Sequence, residues 1–114
     1  MGERFTEFYF LRQESREGSY PRKLSVGEEG RVVVGITNNE YKIMNYWVEV
    51  RINGVRNKEI EGIILEHGDR WENEVSFVLE KVGGSQKVEF LLYKNGETEL
   101  YFEPLRLWID IREQ

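Results

Sequence analysis

The chain contains no cysteine and no alanine, and only one histidine, two prolines and two aspartates among its 114 residues. Each shortage excludes something. Without cysteine there is no disulfide framework, no thiolate zinc site and no cysteine nucleophile. A core of this size needs no covalent staples, so the absence of cysteine leaves an extracytoplasmic setting open. Alanine is the best helix former, and its absence points away from helices before any periodicity is considered. No apolar run approaches the roughly 20 residues that span a bilayer, and Met1-Gly2 leads directly into Glu3-Arg4, so neither a membrane span nor a signal peptide is expected. The chain as given reads as soluble.

The residues that are present suit strands. Six Phe, six Tyr and three Trp accompany many Val and Ile, side chains that pack well on a pleated, half-buried surface. The net charge of −5 weighs against nucleic acid as a partner, since phosphate recognition needs clustered Lys and Arg. It also weighs against docking on an anionic membrane. A 32% share of charged residues, mostly Glu, Lys and Arg, resembles a thermophile's surface.

Period-two alternation recurs along the chain and predicts strands over 5–11, 31–37, 45–52, 59–65, 70–79, 87–94 and 105–112, with a short edge element around Leu24-Ser25-Val26. Val32, Val34 and Ile36 face inward on the second of the seven. On the third, Tyr46, Val48, Val50 and Ile52 oppose Trp47, Glu49, Arg51 and Asn53. The run 87–94 is apolar on both faces and is expected to be central. Asn53-Gly54, His67-Gly68-Asp69, Gly83-Gly84 and Asn95-Gly96 mark turns, the two Asn-Gly pairs being hairpin signals. Pro21 and Pro104 lie outside strand interiors. The expected fold is all-β, an immunoglobulin-like β-sandwich of about seven antiparallel strands in a single domain over 1–114.

No catalytic constellation emerges, and the chain is expected not to be an enzyme. His67 has no partner at metal-ligand spacing and reads as a turn residue beside Gly68. None of the five serines sits in a nucleophile elbow. Alternating glutamates such as Glu72 and Glu74, or Glu97 and Glu99, fit solvated strand faces better than a paired acid–base site. Acidic loops near Glu28-Glu29 and Asp69 are poor in the Asp and Asn that calcium favours. No glycine pattern cradles phosphate. No cofactor and no metal are therefore expected.

Aromatic residues are the remaining functional signal. Trp47 and Trp108 fall opposite the apolar faces of their strands, and Trp71 is assigned to the core. An outward Trp stacks on a sugar ring or anchors a protein interface, unless neighbouring Arg and Lys stems or a loop cover it. Trp47, Trp108, Tyr41 and Tyr101 are the candidate binding residues, for an unknown protein or a cell-surface glycan. Lys and Glu at the ends of the first and fourth strands protect the sheet edges, so a monomer is expected.

Ordered short motifs cover nearly the whole chain: Phe5-Thr6-Glu7-Phe8-Tyr9, Tyr20-Pro21, Leu24-Ser25-Val26-Gly27-Glu28, Val34-Gly35-Ile36-Thr37-Asn38-Asn39-Glu40-Tyr41, Asn45-Tyr46, Gly68-Asp69-Arg70-Trp71-Glu72, Glu89-Phe90-Leu91-Leu92-Tyr93 and Leu105-Arg106-Leu107-Trp108-Ile109. Together they resemble the largely archaeal, membrane-associated domain-of-unknown-function family numbered sixteen-sixteen. That family commonly has a histidine where this chain has Asn39 and another where it has Arg106. The resemblance implies a cell-envelope protein whose β domain faces outward, often behind transmembrane helices, and it brings no known activity. The pattern is also similar to adhesion-related immunoglobulin-like modules. The motif residues have physical readings of their own: Gly27 suits a turn with positive φ, and Asn38 suits a strand end whose backbone its side chain can bond.

Overall fold

A computed structural model describes residues 2–11, 22–95 and 103–114. Its strands are β1 (Phe5–Leu11), β2 (Lys23–Ser25), β3 (Glu29–Asn39), β4 (Met44–Ile52), β5 (Val55–Leu65), β6 (Arg70–Val78), β7 (Gly83–Lys94) and β8 (Leu105–Arg112). They form a three-stranded sheet of order β1-β3-β6 and a five-stranded sheet of order β2-β8-β7-β4-β5. The seven longer strands pair antiparallel. The three-residue β2, legible in sequence only as a short edge element, pairs parallel with β8. Among the described residues there is no helix, and so none long and apolar enough to cross a membrane.

Alternation sends one set of side chains from each sheet into a shared core. Val32, Val34 and Ile36 of β3 meet Tyr46, Val48 and Val50 of β4, with Val88, Phe90 and Leu92 of β7 and Ile109 of β8, all essentially without solvent contact. Phe90 is the centre of an aromatic contact between the sheets. Phe10 meets its ring edge-on at 5.4 Å and Phe77 at 6.3 Å. Trp71 packs partly buried against this core, on the face assigned to it from sequence. As its two apolar faces foretell, β7 lies mid-sheet between β8 and β4.

Three elements differ in extent from the sequence pattern by two residues or more at an end, β3 running Glu29–Asn39 rather than 31–37. β5 begins at Val55 rather than near Glu59, because the Asn53-Gly54 turn is tight (φ of 50° and 84°) and pairs Ile52 directly with Val55. Its first residues are exposed, the apolar Val55 as well as Arg56 and Asn57, so no alternation marks them. Two register shifts follow: Asn57 is extra, and Glu61-Gly62 together oppose Trp47, with Gly62 at φ 71°. β7 begins at Gly83, so Gly83-Gly84 lies inside an irregular strand start rather than forming a turn. A register shift between Gly83 and Gln86 leaves Ser85 in the left-handed region at φ 48°. The expected Asn95-Gly96 hairpin falls partly outside the described residues. Asn95 itself turns with φ 49° after β7.

Gly35 is required by packing. Tyr9 of β1 sits across from it and lays its ring where a Cβ would project, reaching on to Thr37 Oγ1 at 3.1 Å and Glu72 at 3.3 Å.

Candidate functional site

The outer face of the five-stranded sheet is where aromatic and charged side chains converge. β4 and β7 pair Trp47 with Tyr93 and Arg51 with Glu89. The Trp47 indole lies flat on the Tyr93 ring, centroids 3.9 Å apart and planes 10° apart. The Tyr93 hydroxyl donates to Glu49 Oε1 at 3.0 Å, and Glu49 also accepts from Arg51 Nε at 3.1 Å and Arg56 Nε at 3.1 Å. Arg56 in turn reaches Glu59 at 2.6 Å. Glu49 is thus 2% exposed on a nominally outward face, capped by its own partners.

The electrostatics follow from that enclosure. Burial is the largest single influence on Glu49 and pushes its carboxyl up. Hydrogen bonds from Arg51, Arg56 and Tyr93 together outweigh it and hold Glu49 below the ordinary carboxylate range. The Tyr93 hydroxyl is pushed up by burial first and by its bond to Glu49 second. Next to this cluster, Glu89 takes Arg106 at 3.1 Å and Lys87 at 3.6 Å, extending the network onto β8.

Trp108 stands apart from Trp47. Along β7 their cross-strand partners are Lys87 and Tyr93, which separates the two indoles by about 20 Å at the usual rise of a strand. The two rings share a face without forming one platform. Trp108 is 56% exposed and borders a hollow of about 440 Å³ lined by Arg22, Lys23, Ser85, Arg106, Leu107 and Asp110. Asp110 joins its walls: Oδ1 accepts from Ser85 N at 2.8 Å, and its own N–H donates to the Arg22 carbonyl at 2.8 Å.

Tyr41 lies in the loop after β3, 41% exposed and with φ 61°. Its N–H donates to His67 Nδ1 at 3.2 Å and its ring stacks on the imidazole at 4.2 Å. Tyr41 and His67 thereby fasten two loops to each other, and His67 does sit in the turn beside Gly68. Beneath them, fully buried Asn38 donates to the carbonyls of Lys42 at 2.9 Å and Leu65 at 2.8 Å and accepts from Glu40 N at 2.8 Å. Thr6 donates to Glu40 at 2.8 Å and bonds the Tyr46 hydroxyl at 2.6 Å, tying β1 to β4 across the sandwich. Tyr101 lies outside the described residues. Among the described residues no group of three or more His, Asp or Glu is placed to hold a metal ion.

Sequence reasoning singled out Trp47 and Trp108 but not the partners that define their surroundings. Glu49 and Arg51 were visible only as flanking residues, and Tyr93 only as the second apolar face of β7. Arg22, Lys23 and Ser85 carried no signal, because their approach to Trp108 depends on the parallel β2–β8 pairing and the irregular start of β7.

Two facing sheets with this alternation define an immunoglobulin-like β-sandwich, and solved structures agree. The CARDB domain of a Pyrococcus furiosus protein, solved in complex with di-metal ions, superposes with a TM-score of 0.66 at 12% identity, covering 98% of this chain and 94% of that one. The resemblance to adhesion-related immunoglobulin-like modules is thereby borne out at the level of fold. A β-glucosidase from Listeria innocua (TM-score 0.63, 13% identity, 100% of this chain and 17% of that one) contains a similar portion. So does the alpha-2-macroglobulin of E. coli (0.58, 17%, 96% and 6%). This chain corresponds to only a small part of those two proteins. The chain belongs to the family described as Domain of unknown function (DUF1616), whose model matches residues 1–110. No curated protein matches the sequence.

Proposed function

We propose that this chain is a non-catalytic immunoglobulin-like module that acts by protein contact or spacing, as the extracytoplasmic part of a membrane-anchored cell-envelope protein. The observation that carries the contact reading is the Trp47–Tyr93 stack held over the Glu49–Arg51–Arg56 cluster. Trp, Tyr and Arg are the residue types that dominate binding energy at protein interfaces, and they are most effective when their geometry is fixed before the partner arrives. Here an aromatic stack and a four-residue hydrogen-bonded cluster fix it. The envelope setting rests on the motif resemblance to a family whose members often carry transmembrane helices ahead of the β domain.

Both halves are open to test. In intact cells, a membrane-impermeant lysine reagent should label the domain without lysis; protection until lysis would end the extracytoplasmic reading. A photo-crosslinking residue at Trp47 should capture one specific envelope protein, and the same probe on the three-stranded sheet at Glu74 should not. Equal capture at both positions would leave spacing as the surviving role.

A further inference from the structure

The hollow beside Trp108 has a composition unlike the rest of this acidic surface. Arg22 and Lys23 enter it from β2 and the residue before it, and neither side chain makes an ion pair or hydrogen bond among the described residues. Arg106, on the same face of β8 as Trp108, adds a third cation that is engaged with Glu89. Opposite stand two groups suited to hydroxyls. Asp110 spends Oδ1 on Ser85 N, its Oδ2 takes no hydrogen bond among the described residues, and the Ser85 hydroxyl belongs to a residue at φ 48° in the irregular start of β7. A non-glycine residue in that region is strained, and such strain concentrates where a side chain must be aimed. The indole supplies a flat apolar wall that is more than half exposed.

A broad apolar ring face, a fixed carboxylate acceptor, a hydroxyl and two cations that make no ion pair among the described residues together match a ligand that is cyclic, polyhydroxylated and negatively charged. We propose that this hollow binds a hexuronate residue of an acidic polysaccharide, with the sugar face on Trp108, its carboxylate toward Arg22 and Lys23, and its hydroxyls toward Asp110 and Ser85. An acidic peptide carries the right charge but brings no hydroxyls to Asp110 and Ser85. A neutral glycan satisfies the indole and Asp110 but leaves the cations unused. This site is about 20 Å from the Trp47 contact surface and does not depend on the contact reading.

The test is an NMR amide and indole titration of the full chain with trigalacturonate, a neutral trisaccharide and hexaglutamate, each to millimolar concentration. The expected result is saturable shifts at Trp108, Ser85 and Lys23 with trigalacturonate alone. The exposed Trp108→Ala should weaken binding at least about tenfold, and Arg22→Gln with Lys23→Gln should weaken it and flatten its salt dependence. Absence of saturable shifts with trigalacturonate overturns the proposal. So does equal binding of the neutral sugar, which makes the cations irrelevant, or of hexaglutamate, which makes this a peptide site. Unchanged affinity in Trp108→Ala removes the stacking role. Shifts at Trp47 with none at Trp108 place any glycan on the contact surface instead.

Discussion

The Trp47 indole covers the Tyr93 ring at 3.9 Å while the Tyr93 hydroxyl reaches Glu49 at 3.0 Å, so the outermost aromatic layer of the sheet is coupled to its most buried outward carboxylate. Removing the cover therefore costs more than area. Trp47→Ala should lower unfolding free energy by about 1–3 kcal/mol, from lost stacking and from water admitted to the Tyr93–Glu49 bond. Tyr93→Phe keeps the stack and loses only the hydroxyl, for about 1–2 kcal/mol. Urea unfolding of the two single variants and the double should show losses smaller together than summed, because both act on one bond. Strict additivity would show that the stack and the carboxylate are independent.

Glu49 also sets an acid limit on stability. Its carboxyl is held lower in the folded state than in the unfolded chain, so the unfolded state takes up the proton first as pH falls. The stabilisation is fully present above the ordinary carboxylate range and is lost as pH drops through it toward the lower folded value. Wild type should thus lose stability below about pH 4.5 more steeply than Glu49→Gln. Comparing midpoints of urea unfolding from neutral pH to pH 3 checks this. Parallel curves would mean that other carboxylates carry the acid dependence.

How much of this was legible in sequence depended on the range of the interaction. Alternation placed Val32, Val34 and Ile36 in the core, since burial on one face of a strand imprints itself on every second residue. Asn53-Gly54 fixed its hairpin because two positive φ angles are demanded locally. Asn38 was recognised as a residue that bonds backbone at a strand end, and it does. The partners of the two tryptophans were hidden. Arg56 reaches Glu49 across a strand pair with two bulges, and Ser85 comes to Asp110 only because β7 starts irregularly. Neither bulge leaves a periodic mark, since each is an interruption of the period itself. Leu91, buried on the outer face of β7, shows the same limit: the pattern revealed two apolar faces but not what lies against the second.

The close approach of Tyr9 to Gly35 makes a sharp packing test. Gly35→Ala places a methyl group into the Tyr9 ring, which must swing out and release Thr37 and Glu72. The expected loss is about 1–3 kcal/mol, the usual range for overpacking. Combining it with Tyr9→Ser should restore most of the difference between alanine and glycine at position 35. Denaturation midpoints of the four proteins in that cycle decide it, and an equal Gly35→Ala penalty with and without the ring would assign the cost to the β3 backbone instead.

Asn38 satisfies three backbone groups at once with no solvent to replace it. Asn38→Ala strands the Lys42 and Leu65 carbonyls and the Glu40 N–H, at about 1–3 kcal/mol for each group that water cannot reach. Asn38→Asp is nearly the same shape, yet it should be worse. It keeps an acceptor for Glu40 N–H but turns an ionised oxygen toward two carbonyls that need donors, inside a site without solvent. The aspartate variant alone should recover stability as pH falls, because protonation of its carboxyl supplies one donor and removes the buried charge. The sign is opposite to that of Glu49, whose folded-state carboxyl is held down rather than forced up. Urea unfolding at neutral and mildly acidic pH separates the two: stability of Asn38→Asp that falls with acid alongside wild type would mean that the loop opens and admits water to position 38.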